Sequence, residues 1–173
     1  MGYTTPFHSV TMIAGLGNPD KEYLTTYHNV GLQALLFLAG ETAAWRTRKS
    51  FRYAKVGSRI FVAPLTYMNE SGRAIRDALR FFTLRPNALL VLQDDSDLTL
   101  GAWKAAFGRG TAGHHGIASI VRELGTNEFA RIRIGIRKPD SKKKAGSFVL
   151  KKIPPSEKKL FKNVFEEIAS SLT

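Results

Sequence analysis

Four short polar clusters, far apart in the chain, each follow an apolar run with the length and composition of a buried strand. They are Gly-Leu-Gly-Asn-Pro at 15–19 with Thr-Tyr-His-Asn at 26–29, Tyr-Met-Asn-Glu-Ser-Gly at 67–72, Gln-Asp-Asp-Ser-Asp-Leu at 93–98, and Gly-His-His-Gly at 113–116. Stretches with helical spacing lie between them, so strands and helices intermix along the chain. In an α/β sheet the carboxyl ends of neighbouring strands gather their loops at one rim. His28, Asn69, Asp94 and His114 are therefore candidates for a single crevice.

The spacing predicts strands over 10–16, 51–56, 59–64, 88–92, 103–107 and 131–136. It predicts helices from Asn29 to about 39, over 71–82, after Gly113 to a stop at Gly125, and from Pro155 to Leu172. The expected architecture is a mixed sheet with helices on both faces, and Asp94 falls just past a buried strand. With 173 residues and 43% hydrophobic content, one domain over 10–173 after a short flexible polar leader at 1–9 is expected. The absence of cysteine excludes disulfides, thiolate metal sites and a cysteine nucleophile, and suits a reducing cytoplasm. No apolar run reaches the roughly 18 residues of a membrane span.

The net charge is +12, and between Arg131 and Asn163 twelve Lys or Arg face only Asp140 and Glu157. Two readings fit such a stretch: a polyanion-binding surface, with RNA the natural partner, or a solvated basic face.

His28 sits at a helix start, where it either caps or serves as a general base near neutral pH. If Asp94 reaches it, the carboxylate fixes the ring tautomer, frees the other nitrogen and stabilises the imidazolium. Asn18 and Asn69 either satisfy turn backbone or hold water and carbonyl groups. Asp95 and Asp97 lack further oxygen ligands for a hard cation, and the adjacent His114 and His115 lack the i, i+4 spacing of helical metal histidines, so no metal is expected. Gly108-Arg-Gly-Thr-Ala-Gly113 matches a dinucleotide fingerprint in form, but no acidic residue closes the following strand.

Together, GLGNPDKEYLTTYHNVG, PLTYMNESG, DDSDLTLG, GTAGHHGIASI, FARIRIGI and GSFVL, in this order, resemble the bacterial-type peptidyl-tRNA hydrolase family over about residues 10–165. The resemblance implies a single αβα globule with a mixed, mostly parallel twisted sheet. It implies hydrolysis of the ester joining a peptide to the terminal ribose of tRNA, without metal or cofactor, by a cytoplasmic monomer. It places the catalytic base on His28, the orienting aspartate on Asp94 and a water- or oxyanion-holding amide on Asn69. Asn18, Tyr23, Met68, His114 and His115 fall at the substrate groove. On the tRNA side the resemblance leaves Lys104, Arg109 and Arg133 to supply charge, and the basic last third of the chain adds Lys142, Lys143 and Lys144.

The chain departs from that family at three positions: Tyr27 replaces an arginine, His115 an asparagine, and Ala106 a basic residue that helps clamp the tRNA 5′-phosphate. A non-catalytic RNA-binding relative, of the splicing-factor kind, is the alternative these departures keep open.

Overall fold

The computed structural model describes residues 7, 9–138 and 148–173. Its centre is a seven-stranded sheet in the order β2-β3-β4-β1-β5-β7-β6. The strands are β1 (Met12–Gly15), β2 (Arg46–Thr47), β3 (Phe51–Val56), β4 (Arg59–Pro64), β5 (Leu89–Thr99), β6 (Trp103–Phe107) and β7 (Ala130–Arg137). β4, β1, β5 and β7 are mutually parallel, and the antiparallel pairings β2/β3, β3/β4 and β6/β7 finish the two edges. Five strands thus run in one direction, and their carboxyl ends share a rim.

Helices cover both faces, as expected. α1 (Val30–Ala39) and α4 (Pro155–Leu172) pack with Ile13, Phe61, Leu90, Leu92, Ile132 and Ile134. α2 (Ser71–Phe81) and α3 (His115–Leu124) pack with Met12, Ala14, Val62, Leu89 and Val91 on the other face. Successive strand residues point to opposite faces, so β1 and the first half of β5, covered on both sides, are apolar at every position. Phe7, inside the stretch expected as a flexible leader, is buried in the first of these clusters at 4% exposure. The core therefore takes in at least that residue, because a large apolar ring gains more from burial than from solvent.

One reading of the sequence needs correction. β5 does not end at Leu92 but runs on to Thr99, so Asp94 lies inside a strand rather than past it. The physical reason is the neighbours: β1 stops with Gly15 opposite Leu92, whereas β7 continues to pair with Gln93, Asp94 and Asp95. Beyond Leu92 the strand keeps its ladder on one side and is open on the other, which admits polar residues. The dinucleotide fingerprint also falls away, since β6 and β7, on either side of α3, are antiparallel and form no parallel βαβ unit. The glycine loop is held instead by Arg131, whose guanidinium donates to the Gly110 carbonyl at 3.0 Å, and by Asn127, which donates to that of Gly108.

Gly31 sets the height of α1 over the sheet. A Cβ there would lie 2.3 Å from the Leu92 carbonyl oxygen, in backbone that cannot yield. Gly31→Ala is expected to lift the start of α1, cost about 1–3 kcal/mol in urea unfolding and lower kcat more than it raises KM.

Candidate active site

His28 belongs to a single 3-10 turn, Tyr27–Asn29, that leads into α1. The backbone at 148–153 straps this turn: His28 N–H donates to the Val149 carbonyl at 2.8 Å, Tyr27 N–H to that of Lys151, and Ile153 N–H to that of Thr25. With its backbone fixed, the ring reaches the open side of β5, and Nδ1 lies 2.9 Å from Asp94 Oδ1. His114, the N-cap of α3, approaches the same oxygen through Nε2, also at 2.9 Å. The two rings are 5.2 Å apart, and both line an open cleft with Gln93, His115 and Val149.

The hydrogen bonds assign the protons. His114 Nδ1 accepts from the backbone N–H groups of Gly116 at 3.1 Å and Ile117 at 3.3 Å, so its ring proton sits on Nε2 and is donated to Asp94. Asp94 is an ionised acceptor: burial pushes its carboxyl up, but the histidine donors, His114 ahead of His28, outweigh this and hold it at about 2. His28 must then donate Nδ1–H to the carboxylate, which leaves its Nε2 lone pair without a partner among the described residues. Of the two histidines, only His28 has a nitrogen free to take a proton, because the remaining lone pair of His114 is spent on the helix cap.

The same assignment bears on metal binding. His28 Nδ1, Asp94 Oδ1 and His114 Nε2 lie within 4.8 Å of one another, a donor set suited to a divalent ion. A cation on His114 Nε2 would require either an imidazolate or a proton on Nδ1 against two N–H donors. The local chemistry favours protons in this triad over a metal.

Asn18 is a connector. Its Oδ1 accepts from Met68 N–H at 2.8 Å, while its backbone N–H and C=O pair with the side-chain amide of Asn29 at 2.9 Å each. Three loops, at β1, α1 and Met68–Glu70, are thereby locked together. Met68 is buried, with its sulfur close above Gly116 at the start of α3. Asn69 is exposed and its side chain has no hydrogen-bond partner among the described residues. Tyr23 is half-buried on the neighbouring turn, and neither it nor Asn18, Met68 or Asn69 lines the cleft around His28.

The wider shape of the chain is that of known proteins. The family model for peptidyl-tRNA hydrolase matches residues 12–173. The peptidyl-tRNA hydrolase of Prochlorococcus marinus is 38% identical over 93% of this chain and 85% of its own length. That of Aquifex aeolicus is 35% identical over 94% of this chain and 88% of its own. The chain belongs to the peptidyl-tRNA hydrolase family. A crystal structure of a peptidyl-tRNA hydrolase in complex with N-propanol superposes with a TM-score of 0.83 at 31% identity, covering 98% of this chain and 88% of the other. One from Acinetobacter baumannii gives 0.80 at 30% identity with the same coverage. The alternative of a non-catalytic RNA-binding relative finds no support among these matches.

At the three departures, the structure shows what replaces the usual residue. Tyr27 donates its hydroxyl to Glu157 at 2.5 Å, and Lys138 pairs with the other oxygen of Glu157 at 2.9 Å. Burial first, then the Glu157 carboxylate, pushes the Tyr27 hydroxyl up, so it stays a donor. His115 is exposed at the cleft mouth. Ala106 faces Arg131 in the β6/β7 register, two residues from Lys104, which faces Arg133. Lys104 and Arg109 are exposed, but Arg133 is held by the buried Asp95 carboxylate and is only partly available. Lys142, Lys143 and Lys144 lie outside the described residues.

Sequence reasoning missed Val149 and Asn29 as site-building residues. Nothing in periodicity marks a valine whose carbonyl anchors the His28 turn, and Asn29 reads as a helix start.

Proposed function

We propose that the chain hydrolyses the ester between peptide and tRNA, with His28 as general base. The observation that carries this reading is the unused Nε2 of His28, at an open cleft, opposite an Nδ1–H bound to an ionised, buried carboxylate. A water beside Nε2 loses its proton to the ring as its oxygen attacks the ester carbonyl. The imidazolium so formed is stabilised by Asp94 and returns the proton to the departing ribose oxygen. Asn69 lies just ahead of α2, outside the lining of the cleft around His28, and its side chain has no partner among the described residues; the family resemblance is what assigns it to hold the water or the developing oxyanion. Met68, Asn18, Tyr23, His114 and His115 form the peptide side, Asn18 and His114 by holding others in place. No metal or cofactor enters these steps.

The acceptor end of tRNA is read on the β6/β7 edge, where Lys104 and Arg133 are side by side and Arg109 follows on the glycine loop. The protein is taken as a cytoplasmic monomer; among the described residues no helix is long and apolar enough to cross a membrane.

The test is release of an N-blocked amino acid from purified acyl-aminoacyl-tRNA with chelator present. The expected result is turnover whose KM rises steeply with salt, because each neutralised phosphate releases counterions. Absence of release under tight tRNA binding would reject the catalytic reading, and a KM flat in salt would reject the basic surface.

A further inference from the structure

Residues 42–69 contain six Lys or Arg and no Asp or Glu. The fold concentrates this charge at the β2–β3 edge of the sheet, the edge opposite β6. Arg46, Arg48, Lys49 and Lys55 are exposed, and none of them forms an ion pair among the described residues. Two of these cations lie on aromatic rings instead. The Arg48 guanidinium is 4.5 Å from the centroid of Phe81, and Lys55 Nζ is 5.5 Å from that of Phe82.

Phe81 and Phe82 close α2 and meet edge to face at 4.8 Å, while Phe51 and Tyr53 of β3 continue the cluster. Phe81 nonetheless remains 47% exposed. Arg80 and Arg85 are exposed on either side of it in sequence. A ring left half in water under an unpaired guanidinium contributes little to the core, but it is a ready stacking platform inside a positive field.

We propose that this edge is a second RNA-binding surface that takes an unpaired RNA segment. Its bases stack on Phe81, and its phosphates face Arg48, Lys49, Lys55 and Arg80. The excess of positive charge, in which the one nearby carboxylate, Asp77, is paired with Arg76 and Ser50, selects a polyanion, and the exposed ring selects one with flat bases over an acidic peptide. The surface is independent of the acceptor-stem reading. Six interstrand steps separate β2 from β6, a span of roughly 29 Å.

The experiment is fluorescence anisotropy with a labelled oligouridine of about 12 nucleotides, a length that spans a typical single-strand site. The wild type should bind it, and Arg48→Glu with Lys55→Glu should weaken binding at least about tenfold. Phe81→Ala keeps every charge and should weaken it at least about fivefold, with Phe81→Trp restoring it. Lys104→Glu should leave it unchanged, and the Arg48, Lys55 double variant should retain wild-type release from acyl-aminoacyl-tRNA.

Failure of the wild type to bind, or equal binding by Phe81→Ala, overturns the proposal. An equal loss in Lys104→Glu would place the oligonucleotide on the substrate surface and overturn it too. Tighter binding of a polyglutamate of matched length would assign the edge to an acidic protein segment.

Discussion

His28→Ala lowers the single-turnover rate of N-blocked amino acid release by on the order of 10² to 10⁴, the usual worth of a positioned general base. Affinity for the tRNA substrate stays within about twofold, because the cations proposed to meet phosphates, Lys104, Arg109 and Arg133, are untouched by the change. The ring is 13% exposed and its loss removes one hydrogen bond, so the fold survives the change. The discriminating control is His114→Ala. It uncaps α3 and loosens Asp94, yet a free Nε2 remains on His28, so part of the rate is retained. Equal residual rates in His28→Ala and wild type would remove His28 from the role of base. A larger loss in His114→Ala than in His28→Ala would exchange the two assignments.

Asp94→Asn is the second large effect, on rate and on acid stability together. The amide has no charge to stabilise an imidazolium, and if its NH₂ turns toward His28 the ring proton is driven to Nε2, the wrong nitrogen. A loss on the order of 10³ to 10⁴ in kcat follows.

Stability carries the opposite face of the same contact. The Asp94 carboxyl is held at about 2 in the fold, below its ordinary value of 3.8. A depressed acid contributes stability that is fully present above about pH 4 and lost as pH falls toward 2, up to about 2 kcal/mol here. Urea midpoints between pH 6 and pH 2 should therefore show wild type losing stability that Asp94→Asn does not lose. Parallel pH curves for the two proteins would mean that Asp94 titrates alike in the folded and unfolded chains.

Much of the architecture is legible in the residues. β1 and β3 read as apolar or alternating runs closed by glycine, β4 as the run between Gly57-Ser58 and Pro64, and all four helices announce themselves by spacing and by stops such as Gly125. Burial on one or both faces of an element leaves that imprint locally. The candidate site is legible in a weaker sense. His28, Asp94 and His114 stand out as chemistry-bearing residues after apolar runs, and the structure brings all three to one cleft. The length of β5 was not legible, because what allows a strand to carry Gln93, Asp94 and Asp95 is the end of its neighbour β1, a property of another segment. Nor was the structural use of Asn18, whose partners Asn29 and Met68 lie 11 and 50 residues away. The charge of 42–69 was visible, but its meaning depends on Phe81 and Phe82, which only packing carries to the same edge.

The sequence by itself determined the α/β class, the positions of the helices, the family and the residues able to do chemistry, since hydrophobic period and residue type are local properties. Why His28 rather than His114 suits the proposed role of base is visible only in the tertiary structure. Both rings reach the same oxygen of Asp94, and the choice rests on two backbone N–H groups of α3 that occupy the second nitrogen of His114 and leave that of His28 free.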